Sequence, residues 1–206
     1  MAERKQGRPA PETTSTITGV DWSGEDLSGR VHERVLFDDL DLTEARGTGA
    51  VFTECTFRRA RFNVSVHTDA AFVNCTFKTC TFFDARFVEC KLVGSVFDRC
   101  TFELTRIDGG NWSFVALAGA DLRRAVFRGT RLREADLTGA RCQGGALLGV
   151  DLSGASLGAA TFAKCDLRGS DLSAIDPTET DLKGAIVTYE QALVIAQALG
   201  LDVRAD

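Results

Sequence analysis

Apolar residues recur at every fifth position from Trp22 to Leu182, and the register never slips. Leu or Phe fills twenty-five of these thirty-three positions. A period of five fits neither the 3.6-residue turn of a helix nor the two-residue alternation of a strand. The pattern predicts a chain that turns a corner every five residues. Four corners close one square coil of twenty residues, so each central side chain stacks on the one twenty residues later.

Two further columns of the repeat support this geometry. A small residue, often Ala or Cys, lies two positions before each centre, and Gly recurs two positions after it. The residue just before the centre is often Asp, so the unit reads Ala-Asp-Leu-x-Gly. A narrow, close-packed interior needs small residues between large ones, and Gly suits a turn with positive φ. The sequence therefore predicts an all-β solenoid with the Ala and Leu positions inward.

The chain of 206 residues predicts one elongated domain of about eight coils and about 39 Å. The expected organisation is a disordered leader over residues 1–16, a repeat β-helix over 17–186, and a C-terminal helix and tail over 187–206. The leader lacks the apolar stretch of a signal peptide, and no apolar run is long enough to cross a membrane. A cytoplasmic protein is expected.

The seven cysteines lack the spacing of a metal site or a disulfide framework. Six occupy the small inward column and Cys142 the large one, where Cys packs as a compact apolar side chain. Reduced thiols are expected, with no metal and no cofactor. The alternative is that stacked pairs such as Cys80 and Cys100 bind a metal ion.

Several central positions predict local changes in the coil. Gly47 and His67 stack on one face, which predicts a deformation or a cavity there. Trp112 is too large for a narrow stack unless its coil bulges or its ring escapes. Pro177 has no amide donor and suits a corner or an edge.

The period changes after residue 187. Thr188-Tyr189-Glu190-Gln191 has the form of a capping box and Gly200 is a helix stop, so a helix is predicted over residues 189–199. Its apolar stripe exceeds what the end of a narrow stack can cover, which favours a homodimer through the C-terminal region over a simple cap. The residues predicted to form the dimer contact are Tyr189, Leu193, Ile195, Ala196, Leu199, Leu201 and Val203.

No motif of an enzyme is evident. The chain has neither the phosphate-binding GxxxxGK[ST] loop nor the HExxH zinc motif, and its two His residues are far apart. A binding protein is therefore predicted in place of an enzyme. Direct contact with nucleic acid is not expected, because no basic stripe is interleaved with aromatic residues.

The Ala-Asp-Leu-x-Gly tract and the Cys-Thr-Phe units at 55–57, 75–77 and 100–102 resemble pentapeptide repeat proteins. Strings at 25–37, 121–137 and 189–201 are similar to the fluoroquinolone-resistance proteins of the Qnr/MfpA-like group. The resemblance implies a right-handed quadrilateral β-helix and a dimer of DNA-like width, joined at its C-terminal ends. It also implies a DNA mimic that binds DNA gyrase and counters quinolones. The unbroken register departs from the projecting loops of Qnr.

The charge distribution limits where such mimicry could operate. The net charge is −5, whereas duplex DNA as long as the rod carries roughly −23. Residues 151–190 have seven acidic and three basic groups, so two copies joined there carry about −8, against about −11 for DNA of that length. The acids predicted to face gyrase are Asp121, Asp136, Asp151, Asp166, Asp171, Asp176, Glu179 and Asp181.

Three alternatives stay open from the sequence. The acids are also consistent with ordinary solubility charge. The protein could be a self-immunity factor specific to one natural-product toxin of gyrase. It could also be a general protein-interaction scaffold, because a shared fold does not dictate a shared role.

Overall fold

The computed structural model describes residues 12–204, which form a parallel β-helix followed by one short helix. Successive coils pair in register at a step of twenty residues, as Phe57 does with Phe77 and Phe77 with Phe97. This is the step that the five-residue period predicts. The predicted quadrilateral β-helix with a short C-terminal helix is confirmed.

Each coil has four faces, named here by the central residues that stack on them. Face 1 runs from Trp22 to Leu182, face 2 from Leu27 to Val187, face 3 from His32 to Leu172, and face 4 from Ile17 to Pro177, in steps of twenty. Faces 1 and 3 are opposite each other, and so are faces 2 and 4.

Regular strands form three sheets on faces 2, 3 and 4, whereas face 1 is built from isolated bridges such as that between Arg61 and Thr81. Face 4 carries β1 (Ser15–Thr18), β3 (Val35–Asp38), β6 (Thr56–Arg58), β9 (Thr76–Lys78) and β11 (Val96–Asp98). Face 2 carries β4 (Arg46–Thr48), β7 (Val66–Thr68), β10 (Arg86–Val88), β12 (Arg106–Asp108), β13 (Val126–Arg128) and β14 (Ala146–Leu148). Face 3 carries β2 (Val31–Glu33), β5 (Val51–Thr53) and β8 (Ala71–Val73), and the helix α1 is Tyr189–Ala198.

The interior is a set of stacked side chains that runs the length of the rod. On face 4 the rings of Phe37, Phe57, Phe77 and Phe97 stack with centroid separations of 5.0, 5.0 and 4.7 Å. Each such pair contributes about 0.5–1.5 kcal/mol beyond its burial. The small column is buried as predicted, for example at Ala60 and Ala135.

The corners do not depend on glycine alone. Within residues 12–204, seventeen non-glycine residues adopt positive φ, among them Arg34 at 55° and Leu104 at 59°. A left-handed conformation costs an ordinary residue about 1–2 kcal/mol. The stacking of neighbouring coils therefore imposes the corner even where the sequence lacks Gly.

The expected deformation at Gly47 and His67 is not found. Both stay in register with each other and with Phe87. His67 is fully buried and stacks on Phe87 with ring centroids 5.3 Å apart. The backbone and Cβ of Leu27 already lie 2.9 Å from where a Gly47 side chain would begin, so Leu27 occupies that space.

Trp112 remains inside the stack, so of the two expected alternatives, a bulged coil and an escaped ring, the ring does not escape. It is 1% exposed and lies parallel to Phe97 at 5.9 Å. Its own face stays bridged through Asn111, which pairs with Lys91 and Arg131. The coil instead opens on the opposite face, as described below.

The coil begins slightly before the predicted start at residue 17, because the amide of Thr14 already donates to Arg34 O at 2.7 Å. The rest of the predicted leader, residues 1–11, lies outside the described residues. Pro177 opens a turn closed by Thr180 N donating to Asp176 O at 3.0 Å, as its position at an edge predicts. Among residues 12–204 no helix has the length and apolar character needed to cross a membrane.

Candidate partner-binding surface

The eight acids predicted to contact a partner do not share one face, since only a spacing of twenty residues returns to the same face. They form a belt around the C-terminal half of the rod. Face 1 has Asp121 and Asp181, face 2 Asp166, face 3 Asp151 and Asp171, face 4 Asp136 and Asp176, and the corner between faces 4 and 1 has Glu179.

The seven aspartates of this set each hold a turn of their own coil. Their Oδ1 atoms accept from the backbone N–H two residues on, the Asx-turn arrangement that favours Asp at such positions. The amide partners are Arg123, Thr138, Ser153, Arg168, Ser173, Thr178 and Lys183, at 2.8–3.3 Å. A structural role thus accounts for Asp in this column, and a binding role needs further support.

Two of the eight acids are neutralised by arginine. Asp121 pairs with Arg123 at 2.6 Å and with Arg141 at 3.1 Å, and Asp166 pairs with Arg168 at 2.7 Å. The hydrogen bond from Arg168 lowers the pKa of Asp166. These two carboxylates therefore offer little net negative charge to a partner.

The other six acids have no ion pair within residues 12–204. We call them the acidic collar: Asp136, Asp151, Asp171, Asp176, Glu179 and Asp181. Four of the six are exposed, and Asp136 and Asp151 are half-buried. The hydrogen bond from the Thr178 hydroxyl lowers the pKa of Asp176, so this carboxylate stays charged well below neutral pH. The collar covers faces 3, 4 and 1 of the last coils.

The N-terminal half differs, because several of its acids are paired with arginines of the next coil. Arg58 and Arg59 both bond Asp38, and Arg59 also bonds Asp39 at 2.7 Å. Arg61 bonds Asp41 at 2.7 Å. Arginines that follow acids by twenty residues lie directly above them, a signal in the sequence that was missed. The acidic N-terminal coils are therefore less negative in effect than their composition suggests.

Helix α1 closes the stack through a residue that the sequence analysis placed only in the capping box. That box is present, with Gln191 N donating to Thr188 Oγ1 and Thr188 N to Gln191 Oε1. Gln191 Nε2 also donates to Leu167 O and Ser170 O, each at 2.7 Å. The side chain is buried, so it satisfies carbonyls at the end of the β-helix.

The seven predicted dimer residues divide into two groups. Leu193, Ile195 and Ala196 are half-buried, and Ile195 packs on the core. The other four are exposed, and the structure adds the exposed Ile186 and Val194 to them, which the sequence analysis missed. The exposed apolar residues at this end are Ile186, Tyr189, Val194, Leu199, Leu201 and Val203.

Comparison with known proteins supports the fold. The profile of the family described as Pentapeptide repeats (8 copies) matches residues 116–154, 135–174 and 147–188. No curated protein matches the sequence. A trypsin-treated variant of QnrB1, a plasmid-mediated fluoroquinolone resistance protein, superposes with a TM-score of 0.59 at 21% identity, over 94% of this chain and 99% of that one. A second trypsin-treated QnrB1 variant gives 0.53 at the same identity and coverage.

At this identity the likeness to QnrB1 concerns the fold alone. The five-residue period extends through the described coils well beyond the matched residues, and it has the same geometry throughout. The profile thus identifies pentapeptide repeats within residues 116–188, and the other described coils continue the same repeat geometry.

Proposed function

We propose that this protein binds DNA gyrase as a homodimer joined at its C-terminal ends, and that it thereby mimics a short piece of duplex DNA. In this proposal it modulates gyrase in the cytoplasm by binding and not by catalysis, and it confers resistance to quinolones or other gyrase poisons. The acidic collar is the observation that carries the proposal, since its six carboxylates form no ion pair within residues 12–204, although Arg131 and Arg133 lie near Asp151.

The collar and the exposed apolar residues lie at the same end of the rod. Helix α1 is held to the last coil by the hydrogen bonds of Gln191. Its apolar residues Tyr189 and Leu199 remain 77% and 53% exposed. A second copy seated on this apolar surface would cover it. It would also bring two collars together into one continuous negative zone.

The charge of such a zone is of the right order. Two collars contain twelve carboxylates, partly offset by Lys164 and Lys183 on the same coils. Duplex DNA carries about one negative charge per 1.7 Å, so the eight charges left by twelve carboxylates and four lysines compare with a segment of roughly 14 Å. Similarity of fold to QnrB1, a fluoroquinolone resistance protein, supports the same role for this chain.

A supercoiling assay tests the proposal. Micromolar protein is expected to inhibit supercoiling by gyrase and to reduce the DNA cleavage that ciprofloxacin induces. Inhibition with protection against only one natural-product toxin would favour self-immunity. No effect on gyrase with or without drug would overturn the proposal and favour an interaction scaffold.

A further inference from the structure

Face 1 is interrupted by a slit between residues 99–104 and residues 118–124. On either side the coils are bonded, with Phe82 N donating to Thr101 O at 3.0 Å and Leu122 N to Arg141 O at 2.8 Å. Across the slit, among the described residues, Phe102 N and Leu104 N have no carbonyl partner and Asp121 N does not reach Cys100 O.

The interruption is confined to this face and its corner. On face 4, Phe97 N donates to Ala116 O at 3.0 Å, and on face 2, Val126 N donates to Thr105 O at 2.9 Å. Within residues 12–204 the twenty-residue bridge is also missing between Ser156 and Asp176, where Pro177 diverts the chain. The slit has no such proline and lies in the middle of the rod.

Trp112 gives a physical cause for the slit. It lies on face 3, opposite face 1, in the coil that contains Phe102. Its ring packs parallel to Phe97 and edge-on to Phe127 at 6.1 Å, so it fills the interior between two coils. Overpacking in a close-packed core is relieved by displacement of the backbone. The opposite wall opens as a result.

The slit forms a cavity of about 480 Å³ with an apolar floor and a polar rim. Its lining includes Cys100, Phe102, Glu103, Arg123, Arg124 and Gln143. Cys100 is half-buried, whereas the other six cysteines are buried. Gln143 Oε1 is buried without a hydrogen-bond partner, so the slit contains an unpaired side-chain acceptor as well as unpaired backbone amides. Leaving such polar groups unpaired costs folding free energy, and a ligand that bonds them would recover it.

Two further features beside the slit indicate what fits it. Below it on face 1, Phe83 is 45% and Val64 40% exposed, which gives an apolar surface. Above it, Arg123 and Arg141 pair with Asp121, and Arg124 pairs with Glu103 across the slit. Three guanidinium groups face two carboxylates here, so the local net charge is positive, which favours an acidic ligand.

We propose that the slit is a peptide-binding site, in which an extended segment of a partner protein adds as a strand to the open edge formed by residues 100–104. Its main chain pairs with the amides of Phe102 and Leu104. Alternate side chains of a strand point to opposite sides, so apolar residues face Phe102 while acidic residues face the arginines. An edge of this length accommodates about five residues at about 3.3 Å each. This site is separate from the gyrase-binding role proposed above.

Hydrogen exchange tests whether the open edge exists. The amides of Phe102, Leu104 and Asp121 are expected to exchange at least tenfold faster than those of Phe82 and Leu122, which hold equivalent positions on the same face. Protection equal to that of Phe82 and Leu122 would show a closed wall and overturn the proposal.

Binding is tested with a fluorescein-labelled Asp-Val-Asp-Val-Asp peptide, read by anisotropy and by the rate at which Cys100 reacts with dithionitrobenzoate. We expect saturable binding that slows the Cys100 reaction at least fivefold. The peptide N-methylated at both valines and a Lys-Val-Lys-Val-Lys peptide are expected to bind at least tenfold more weakly. Arg124→Glu should weaken binding of the acidic peptide, whereas Arg168→Glu on face 2 should leave that binding unchanged. Equal binding of the N-methylated peptide, or unchanged Cys100 reactivity at saturation, would exclude strand addition.

Discussion

Asp151 and Asp171 lie one above the other on face 3, where their backbones form a parallel bridge. Each carboxylate accepts a turn amide, from Ser153 at 3.1 Å and from Ser173 at 2.9 Å. Like charges one coil apart repel by roughly 1 kcal/mol in water. The two turn hydrogen bonds offset this repulsion. The result is a pair of stacked carboxylates without an ion pair, although Arg131 and Arg133 lie near Asp151.

Replacing both residues separates the turn role from the charge. Asp151→Asn with Asp171→Asn keeps the Oδ1 acceptors and removes two charges, so thermal stability should be unchanged or slightly higher. Affinity for gyrase should fall by roughly tenfold at low ionic strength and by less at 0.5 M salt, because screening shortens the reach of surface charge. Titration calorimetry at two salt concentrations measures both effects.

The matched control is Asp21→Asn with Asp26→Asn at the other end of the rod. These residues also hold turns, through Ser23 N at 2.8 Å and Ser28 N at 2.9 Å. The control should leave gyrase affinity unchanged. Equal loss in both double variants would mean that total charge, and not the collar, governs binding.

Burial of His67 predicts a specific dependence of stability on pH. Burial lowers the pKa of His67 to about 4, whereas an unfolded His has about 6.5. Between these values the unfolded state binds more protons, so stability is full above pH 6.5 and falls as the pH drops towards 4. At pH 5 the loss from this residue is about 2 kcal/mol.

His67→Phe removes that contribution and keeps an aromatic ring on Phe87. Guanidinium unfolding at pH 7.5 and pH 5.0 should show a smaller loss for the variant than for the parent protein. The same loss in both proteins would contradict a neutral, buried His67.

The hydrogen bonds of Gln191 are expected to hold helix α1 on the last coil. Gln191→Ala removes two bonds to carbonyls of the coil and one to Thr188 N, at a cost of about 3 kcal/mol if each contributes about 1. Helix α1 should fray, seen as faster amide exchange across Tyr189–Ala198. Gln197→Ala, on the exposed side, should have little effect, and similar exchange in the two variants would contradict the assigned role.

The exposed apolar residues at the C-terminal end predict a dimer that depends on Leu199 and Leu201, which follow helix α1. Leu199→Asp with Leu201→Asp should give monomers in sedimentation velocity at concentrations where the parent protein is dimeric. Val31→Asp, at a residue 70% exposed near the other end, should leave the dimer intact. A monomeric parent protein would remove the continuous negative zone from the account.

Trp112 is expected to control access to Cys100. Trp112→Leu should let the wall close and slow the reaction of Cys100 with dithionitrobenzoate at least tenfold. The hydrogen bond with Cys80 and then burial raise the pKa of Cys100, so all variants are compared at one alkaline pH. Phe77→Leu, on face 4 in an earlier coil, should not slow it. An unchanged rate in Trp112→Leu would separate the slit from the tryptophan.

The sequence predicted the coil well because the five-residue period is itself the geometry. It also located α1, since the capping box of Thr188 and Gln191 is a local signal. It failed where a feature depends on contacts between coils. The pairing of Asp38 with Arg58, the carbonyl contacts of Gln191 and the slit opposite Trp112 all join residues about twenty apart. Likewise the acids were predicted as one group, and only the folded coil divides them into ion-paired and unpaired sets.

Displacement of DNA from gyrase tests the central claim most directly. A fluorescent duplex of about 40 base pairs bound to gyrase is titrated with this protein. The account predicts that the parent protein releases the duplex at micromolar concentration, and that the Asp151→Asn, Asp171→Asn variant needs roughly tenfold more. Stable co-occupancy of gyrase by the duplex and the protein, or equal release by the two proteins, would contradict it.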